Sequence, residues 1–136
     1  MYSHSTSIRV RYAETDKMNY VYYGNYATYY EVGRVETMRA LGITYAAMED
    51  EMHVMMPVMN ASFEYLRPVF YDELLRVETK IPILPEREIL FESAIYNEKN
   101  KVVNKGLIRL CFVSTLTKKR ISIPQVMLDR LITYYE

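Results

Sequence analysis

The alternation of apolar and polar positions predicts a short strand at the start of the chain. Ile8, Val10 and Tyr12 alternate with Arg9 and Arg11, so Ser7 to Tyr12 has one apolar and one basic face. A polar stretch from Ala13 to Asn19 and an aromatic one from Tyr20 to Gly24 follow. From Asn25 to Leu41 the period becomes helical, with Tyr26, Tyr30, Gly33, Thr37 and Ala40 sharing one stripe. Glu31 with Arg34 and Glu36 with Arg39 are i,i+3 charge pairs on its flanks. Val35 and Met38 fall outside the stripe, which predicts a helix covered on more than one side. Gly42 supplies the stop. A glycine within a helix costs about 1 kcal/mol against alanine, so Gly33 predicts a helix that lies very close to a sheet.

The second half alternates with the period of strands. Met55, Pro57, Met59, Ala61, Phe63 and Tyr65 interleave with Val58, Asn60, Ser62 and Glu64, and Pro57 predicts an edge or a bulge. After Arg67-Pro68 and a turn at Asp72, Leu75, Val77, Thr79 and Ile81 share a face, and Ile89, Phe91, Ser93 and Ile95 continue the pattern. The polar turn Asn97 to Lys101 leads into a long strand from Val102 to Thr115. Lys118 to Arg120 forms another turn, and Pro124 opens a short final helix. Strand, long helix, four strands and a small helix make an α+β layout in a single domain spanning residues 1–136. One helix cannot cover so large a sheet, and the uncovered edge and face predict a homodimer.

Composition changes this picture little and mainly excludes. The net charge is zero, which gives no general pull toward nucleic acid or anionic membrane. No apolar run approaches the roughly 20 residues needed to span a bilayer, and Met1 to Ser7 lacks a secretory pattern. The one cysteine, Cys111, makes no internal disulfide, and a reducing, cytoplasmic setting is expected. In an apolar strand it reads as buried and structural rather than as a nucleophile. Fourteen tyrosines and no tryptophan suit half-buried edges and interfaces.

The chain has no glycine-rich phosphate loop, no HExxH, no GxSxG and no dinucleotide fingerprint. The two histidines, His4 in an expected mobile terminus and His53 ahead of a strand, sit in no recognisable triad or metal setting. The informative segment is Arg11-Tyr12-Ala13-Glu14-Thr15-Asp16, followed by Val21-Tyr22-Tyr23-Gly24-Asn25-Tyr26 at the mouth of the helix. A second is Tyr65-Leu66-Arg67-Pro68 with Tyr71-Asp72-Glu73-Leu74. Together, and with Tyr29-Tyr30-Glu31, Arg34-Val35-Glu36 and Leu41-Gly42 between them, these resemble the 4-hydroxybenzoyl-CoA thioesterase family over essentially the whole chain.

That resemblance implies a hot-dog fold, in which a long central helix is wrapped by a curved antiparallel five-stranded sheet. It implies dimers or dimers of dimers with interfacial active sites, and hydrolysis of acyl-CoA thioesters with no cofactor and no metal. The family's aspartate matches Asp16, and its oxyanion donor, a backbone N–H at the helix start, matches Tyr23 with Gly24 adjacent. Tyr12 matches a tyrosine four residues before the aspartate; Tyr20 and Tyr26 are the other expected substrate contacts. Many members carry glycine at Asn19 and histidine at Tyr23, and Tyr20 replaces a small apolar residue and narrows the acyl pocket.

The chemistry fits the residues. A thioester carbonyl becomes an oxyanion in the transition state, and fixed N–H donors at a helix N-terminus stabilise it. A carboxylate there attacks the carbonyl or activates water, and the residues leave both roles open. The plainer reading has Asp16 merely cap the following turn. Glu31 and Glu36 are rival carboxylates, each with an arginine three residues on that reads as an ion pair. Coenzyme A brings phosphates; Arg67, Arg87, Lys118, Lys119 and Arg120 stand near strand ends, and the resemblance favours Arg87. Two alternatives keep the fold: an acyl-carrier-protein thioesterase, and a non-catalytic dimer that only binds acyl thioesters.

Overall fold

The computed structural model describes residues 1–135 of the 136. Strand β1 (Tyr2–Arg9) is followed by a 3-10 turn (Tyr12–Glu14), helix α1 (Asn25–Ala40) and helix α2 (Tyr45–Asp50). Strands β2 (Val54–Met55), β3 (Val58–Tyr65), β4 (Leu74–Ile81), β5 (Glu88–Tyr96), β6 (Val102–Ser114) and β7 (Arg120–Ile121) come next, then helix α3 (Gln125–Leu131) and a closing 3-10 turn (Ile132–Tyr134). The sheet thus has seven strands rather than the expected five. Two of them, β2 and β7, are two residues each and pair with the far end of β6, whose 13 residues outrun their longer neighbours. All pairings are antiparallel; β1, β4, β5 and β6 lie side by side and β3 also pairs with β6. Helix α1 has 16 residues, and the short α2 beyond it was not anticipated. Thr44 starts α2 by accepting a hydrogen bond from the Ala47 N–H at 3.1 Å.

Alternation places the core where the sequence puts it. Leu75, Val77, Thr79 and Ile81 of β4 and Ile89, Phe91, Ser93 and Ile95 of β5 are all buried. On α1, Tyr26, Tyr30, Gly33 and Thr37 face the sheet, while Ala40 is exposed and Tyr29, Arg34 and Met38 are buried as well. The Tyr30 hydroxyl donates to Asn104 of β6 at 2.6 Å and that of Tyr2 to the Thr37 carbonyl at 3.4 Å, so α1 is fastened across the sheet. It ends at Ala40 with Leu41 as its cap, Gly42 at φ 82° and Arg130 donating to the Leu41 carbonyl at 2.8 Å.

β1 departs from expectation. It begins at Tyr2 and stops at Arg9, because its whole length pairs with β4 although Ser3 to Ser7 carry no apolar alternation. His4 therefore lies opposite Thr79 in a paired strand, not in a mobile terminus. The chain turns after Val10, which leaves Tyr12 78% exposed rather than on the inner face. Pro57 separates β2 from β3, and the register shift falls just after it, between Val58 and Asn60. Of the two α1 charge pairs, Glu36–Arg39 forms at 3.3 Å, whereas Arg34 is buried and its Nε has no partner among the described residues.

Gly33 marks the close approach of helix and sheet. A Cβ at this position would sit 2.7 Å from Val77 Cγ1 and 2.8 Å from Thr79 Oγ1. Gly33→Ala is therefore expected to destabilise by about 1–3 kcal/mol from overpacking, despite the gain of about 1 kcal/mol in helix propensity. Chemical denaturation checks this; a stabilised variant would show that the helix has room to lift.

Candidate active site

The loop between the 3-10 turn and α1 folds back as a narrow hairpin. Its closing contacts are a bridge from Thr15 to Val21 and hydrogen bonds from the Asp16 N–H to the Tyr20 carbonyl and from the Asn19 N–H to the Asp16 carbonyl, each 2.9 Å. Asn19 takes φ 72°, the left-handed conformation its short polar side chain tolerates. One Asp16 carboxylate oxygen accepts from the Met18 N–H at 2.8 Å. The turn-capping role is thus real, but it occupies one oxygen, and the other accepts no hydrogen bond from the described residues.

The two distant motifs meet beneath this hairpin. The Val21 N–H donates to the Val69 carbonyl at 2.8 Å, Tyr20 bridges Phe70, and the Val10 and Asp72 N–H groups donate to the carbonyls of Glu73 and Val10. Between them lies a cleft of about 530 Å³. Asp16, Tyr20, Tyr23 and Tyr26 line it, together with Tyr65 and Arg67. The Tyr26 ring, buried, stands edge-on to Tyr65 at 5.5 Å, and Tyr20 donates its hydroxyl to the Met18 sulfur at 3.0 Å. Burial, and then the charges of Tyr65 and Glu73, push the Tyr26 phenol up to about 12, so it stays neutral at physiological pH. The pKa of the Tyr22 phenol is raised first by the neighbouring Tyr23 phenol, with the Asp16 charge adding in the same sense.

The helix mouth supplies free donors. The Asn25 N–H closes a turn on the Tyr22 carbonyl at 2.9 Å and the Tyr26 N–H reaches the Tyr23 carbonyl at 3.3 Å. The N–H groups of Tyr23 and Gly24 donate to no acceptor among the described residues. Gly24 is the residue before the first helical turn, with φ −65°. A cleft lined by a carboxylate, Asp16, and by Tyr23 just ahead of the positive end of a helix suits attack on a carbonyl whose oxygen gains charge.

Three expected residues do not line the cleft: Tyr12, Gly24 and Arg87. Tyr12 is outside the cleft, its ring edge-on to Tyr71 at 5.7 Å. Arg87 precedes β5, whose first residue pairs with Cys111, whereas Tyr65 of the cleft pairs with Asn104, several residues away along β6. One chain therefore does not bring Arg87 to Asp16; Arg67, read only as one of several turn cations, is at the cleft instead. Tyr22, Tyr65, Leu66 and Pro68 also line it and were not anticipated, although the Arg67-Pro68 motif that carries three of these was in view.

Glu14, two residues before Asp16, is the buried carboxylate of this region. It accepts from the Arg11 N–H at 2.8 Å, from Arg11 Nε and Nη2 at 2.9 and 2.7 Å, and from the Tyr29 hydroxyl at 2.9 Å. Burial works to raise its pKa, but the hydrogen bonds from Arg11 and Tyr29 together outweigh it and leave the group below the ordinary carboxylate value. A depressed folded value means that its stabilisation is complete above the unfolded pKa and is lost as pH falls through the folded one.

A family model described as "Thioesterase-like superfamily" matches residues 10–131. A Bacillus subtilis protein, YneP, named as a candidate acyl-CoA thioesterase, is 37% identical over 106 residues, 78% of this chain and 76% of its own. The acyl-CoA thioester hydrolase YbgC of Escherichia coli is 28% identical over 118 residues, 87% of each chain. The crystal structure of a DHNA-CoA thioesterase from Staphylococcus aureus superposes with a TM-score of 0.89 at 34% identity, covering 98% of this chain and 89% of that one.

Proposed function

The chain belongs to the thioesterase-like superfamily, and on that premise we propose that it hydrolyses acyl-CoA thioesters with Asp16 as the reacting carboxylate. One observation carries the reading: Asp16, one of whose carboxylate oxygens accepts no hydrogen bond from the described residues, shares a cleft with Tyr23 at the helix mouth, where the Tyr23 and Gly24 amides donate to no acceptor among the described residues. The amides take the oxyanion. Asp16 either bonds to the acyl carbon and expels CoA thiolate, leaving an anhydride for water to open, or removes a proton from the attacking water. Both routes yield the free acid and CoA. Tyr20 and Tyr26 form the walls of the acyl site, and Arg67 meets the phosphates of the carrier.

The active unit is a homodimer with the hot-dog arrangement of sheet around helix. What supports the dimer is β3, which among the described residues pairs only with β6 and leaves Val58, Met59 and Tyr65 at least 41% exposed along an open edge. Arg87, away from the cleft of its own chain, acts on phosphate at the cleft of the second copy. The setting is the reducing cytoplasm, in keeping with the lone Cys111; no helix is long and apolar enough to cross a membrane.

The purified protein is expected to release CoA from short, long and aromatic acyl-CoAs with a preference among them. In sedimentation it is expected at twice the 16.2 kDa chain mass. Turnover of acyl-carrier protein far above that of acyl-CoA would move the assignment to the protein-bound carrier. Tight binding without turnover across the panel would reduce the protein to a binding dimer, and sedimentation as a monomer would remove the dimer.

A further inference from the structure

We infer that Glu14 is a positioning residue for this chemistry, clamping the loop that carries Asp16 to the helix mouth that carries the Tyr23 and Gly24 amides. The inference rests on the role given to Asp16 above. Both halves of the residue take part. Its carboxylate gathers the four hydrogen bonds already described, one of them from the buried Tyr29 hydroxyl on the second turn of α1. Its main-chain carbonyl accepts from the Tyr22 N–H at 3.0 Å and from Asn25 Nδ2 at 2.8 Å. The Tyr23 and Gly24 amides lie in sequence between those last two donors, and Asp16 lies two residues beyond Glu14 itself. One residue therefore fixes where the attacking carboxylate and the oxyanion donors stand relative to each other.

A surface ion pair would not need this arrangement. Arg11 is 75% exposed along its side chain, and half-exposed pairs contribute little. The bond to Tyr29 is different, because it joins the strand-side turn to the helix directly. Placement matters for attack on a carbonyl, and a misplacement of about 1 Å lowers a rate by about 100-fold.

The test uses Glu14→Gln, which keeps shape but loses the paired bonds from Arg11, and Tyr29→Phe, which removes only the bond to the helix. Glu14→Gln is expected to lower kcat on the order of tenfold, with KM changed less than about twofold, as displaced rather than missing groups would do. Tyr29→Phe follows in the same direction with a smaller loss. Hydrogen exchange on the free protein gives a readout independent of turnover: the amides of Met18, Asn19 and Tyr22 should speed up by a larger factor than those of β5. Wild-type kcat in folded Glu14→Gln, or exchange that rises equally in the loop and in β5, overturns the inference. If Glu14→Gln does not fold, Tyr29→Phe carries both readouts under the same criteria. Absence of turnover by the unaltered protein would instead defeat the thioesterase reading and leave the exchange comparison to decide the clamp.

Discussion

Asp16→Asn is expected to lower kcat for acyl-CoA hydrolysis by about 100- to 10,000-fold, the range for removing a positioned acid–base group, while leaving the fold intact. The structure explains why the loss should be chemical. Among the described residues the Asp16 side chain accepts one hydrogen bond, from the Met18 N–H at 2.8 Å. The amide oxygen of asparagine can accept the same bond, so the hairpin from Thr15 to Val21 and the φ 72° conformation of Asn19 have no reason to change. Stability should stay within about 0.5 kcal/mol, as for partly exposed substitutions that break no network. KM should move little, since the aromatic walls and Arg67 remain. What disappears is the negative oxygen that either forms the anhydride or takes the proton from water. A variant that turns over within a factor of about three of wild type would show that the carboxylate only caps its turn, and attention would pass to Glu31, the exposed rival on α1.

Period-based reading recovered what depends on alternation. β4 and β5 bury the four residues each that their patterns specify, and α1 begins at Asn25 as its stripe requires. It missed what depends on pairing partners. Ser3 to Ser7 are polar yet extended, because β4 offers them a full row of hydrogen-bond partners at a sheet edge where neither face needs to be apolar. β2 and β7, at two residues each, are too short to show a period and exist because β6 projects past β3 and β5. At the site, the local geometry is short-range: the hairpin closed by Thr15 and Val21 leaves Asp16 and Tyr23 on one cleft. Convergence from afar was not legible in the sequence. Tyr65 and Arg67 reach the cleft only because Val21 and Tyr20 pair with Val69 and Phe70, a long-range contact that no spacing within either motif reveals. Glu14 escaped attention because its importance lies in what it accepts, from Arg11 three residues back and Tyr29 fifteen residues on.

A second large effect is expected from removing one oxyanion donor without opening the site. Tyr23 is the second residue of the turn that the Asn25 N–H closes on the Tyr22 carbonyl, and proline is favoured at that position of the common turn types. Tyr23→Pro therefore deletes an N–H while suiting the local backbone. It also deletes a ring that stands 4.9 Å from Tyr22 and 6.2 Å from Tyr65, so Tyr23→Ala is the comparison, lacking the ring but keeping the donor. The ring is 63% exposed in the isolated chain, and its loss should cost little stability and less than about tenfold in kcat, below the share of a positioned acid–base group. Proline should then lose a further 100- to 1,000-fold in kcat, about 3–4 kcal/mol, the magnitude for one donor aimed at a developing oxyanion. KM should be similar in the two variants, because the donor meets its full charge only in the transition state. Equal rates for the proline and alanine variants, both folded, would mean that the amide faces no reacting oxygen. The reading of the cleft would then have to place the thioester carbonyl elsewhere along its aromatic wall.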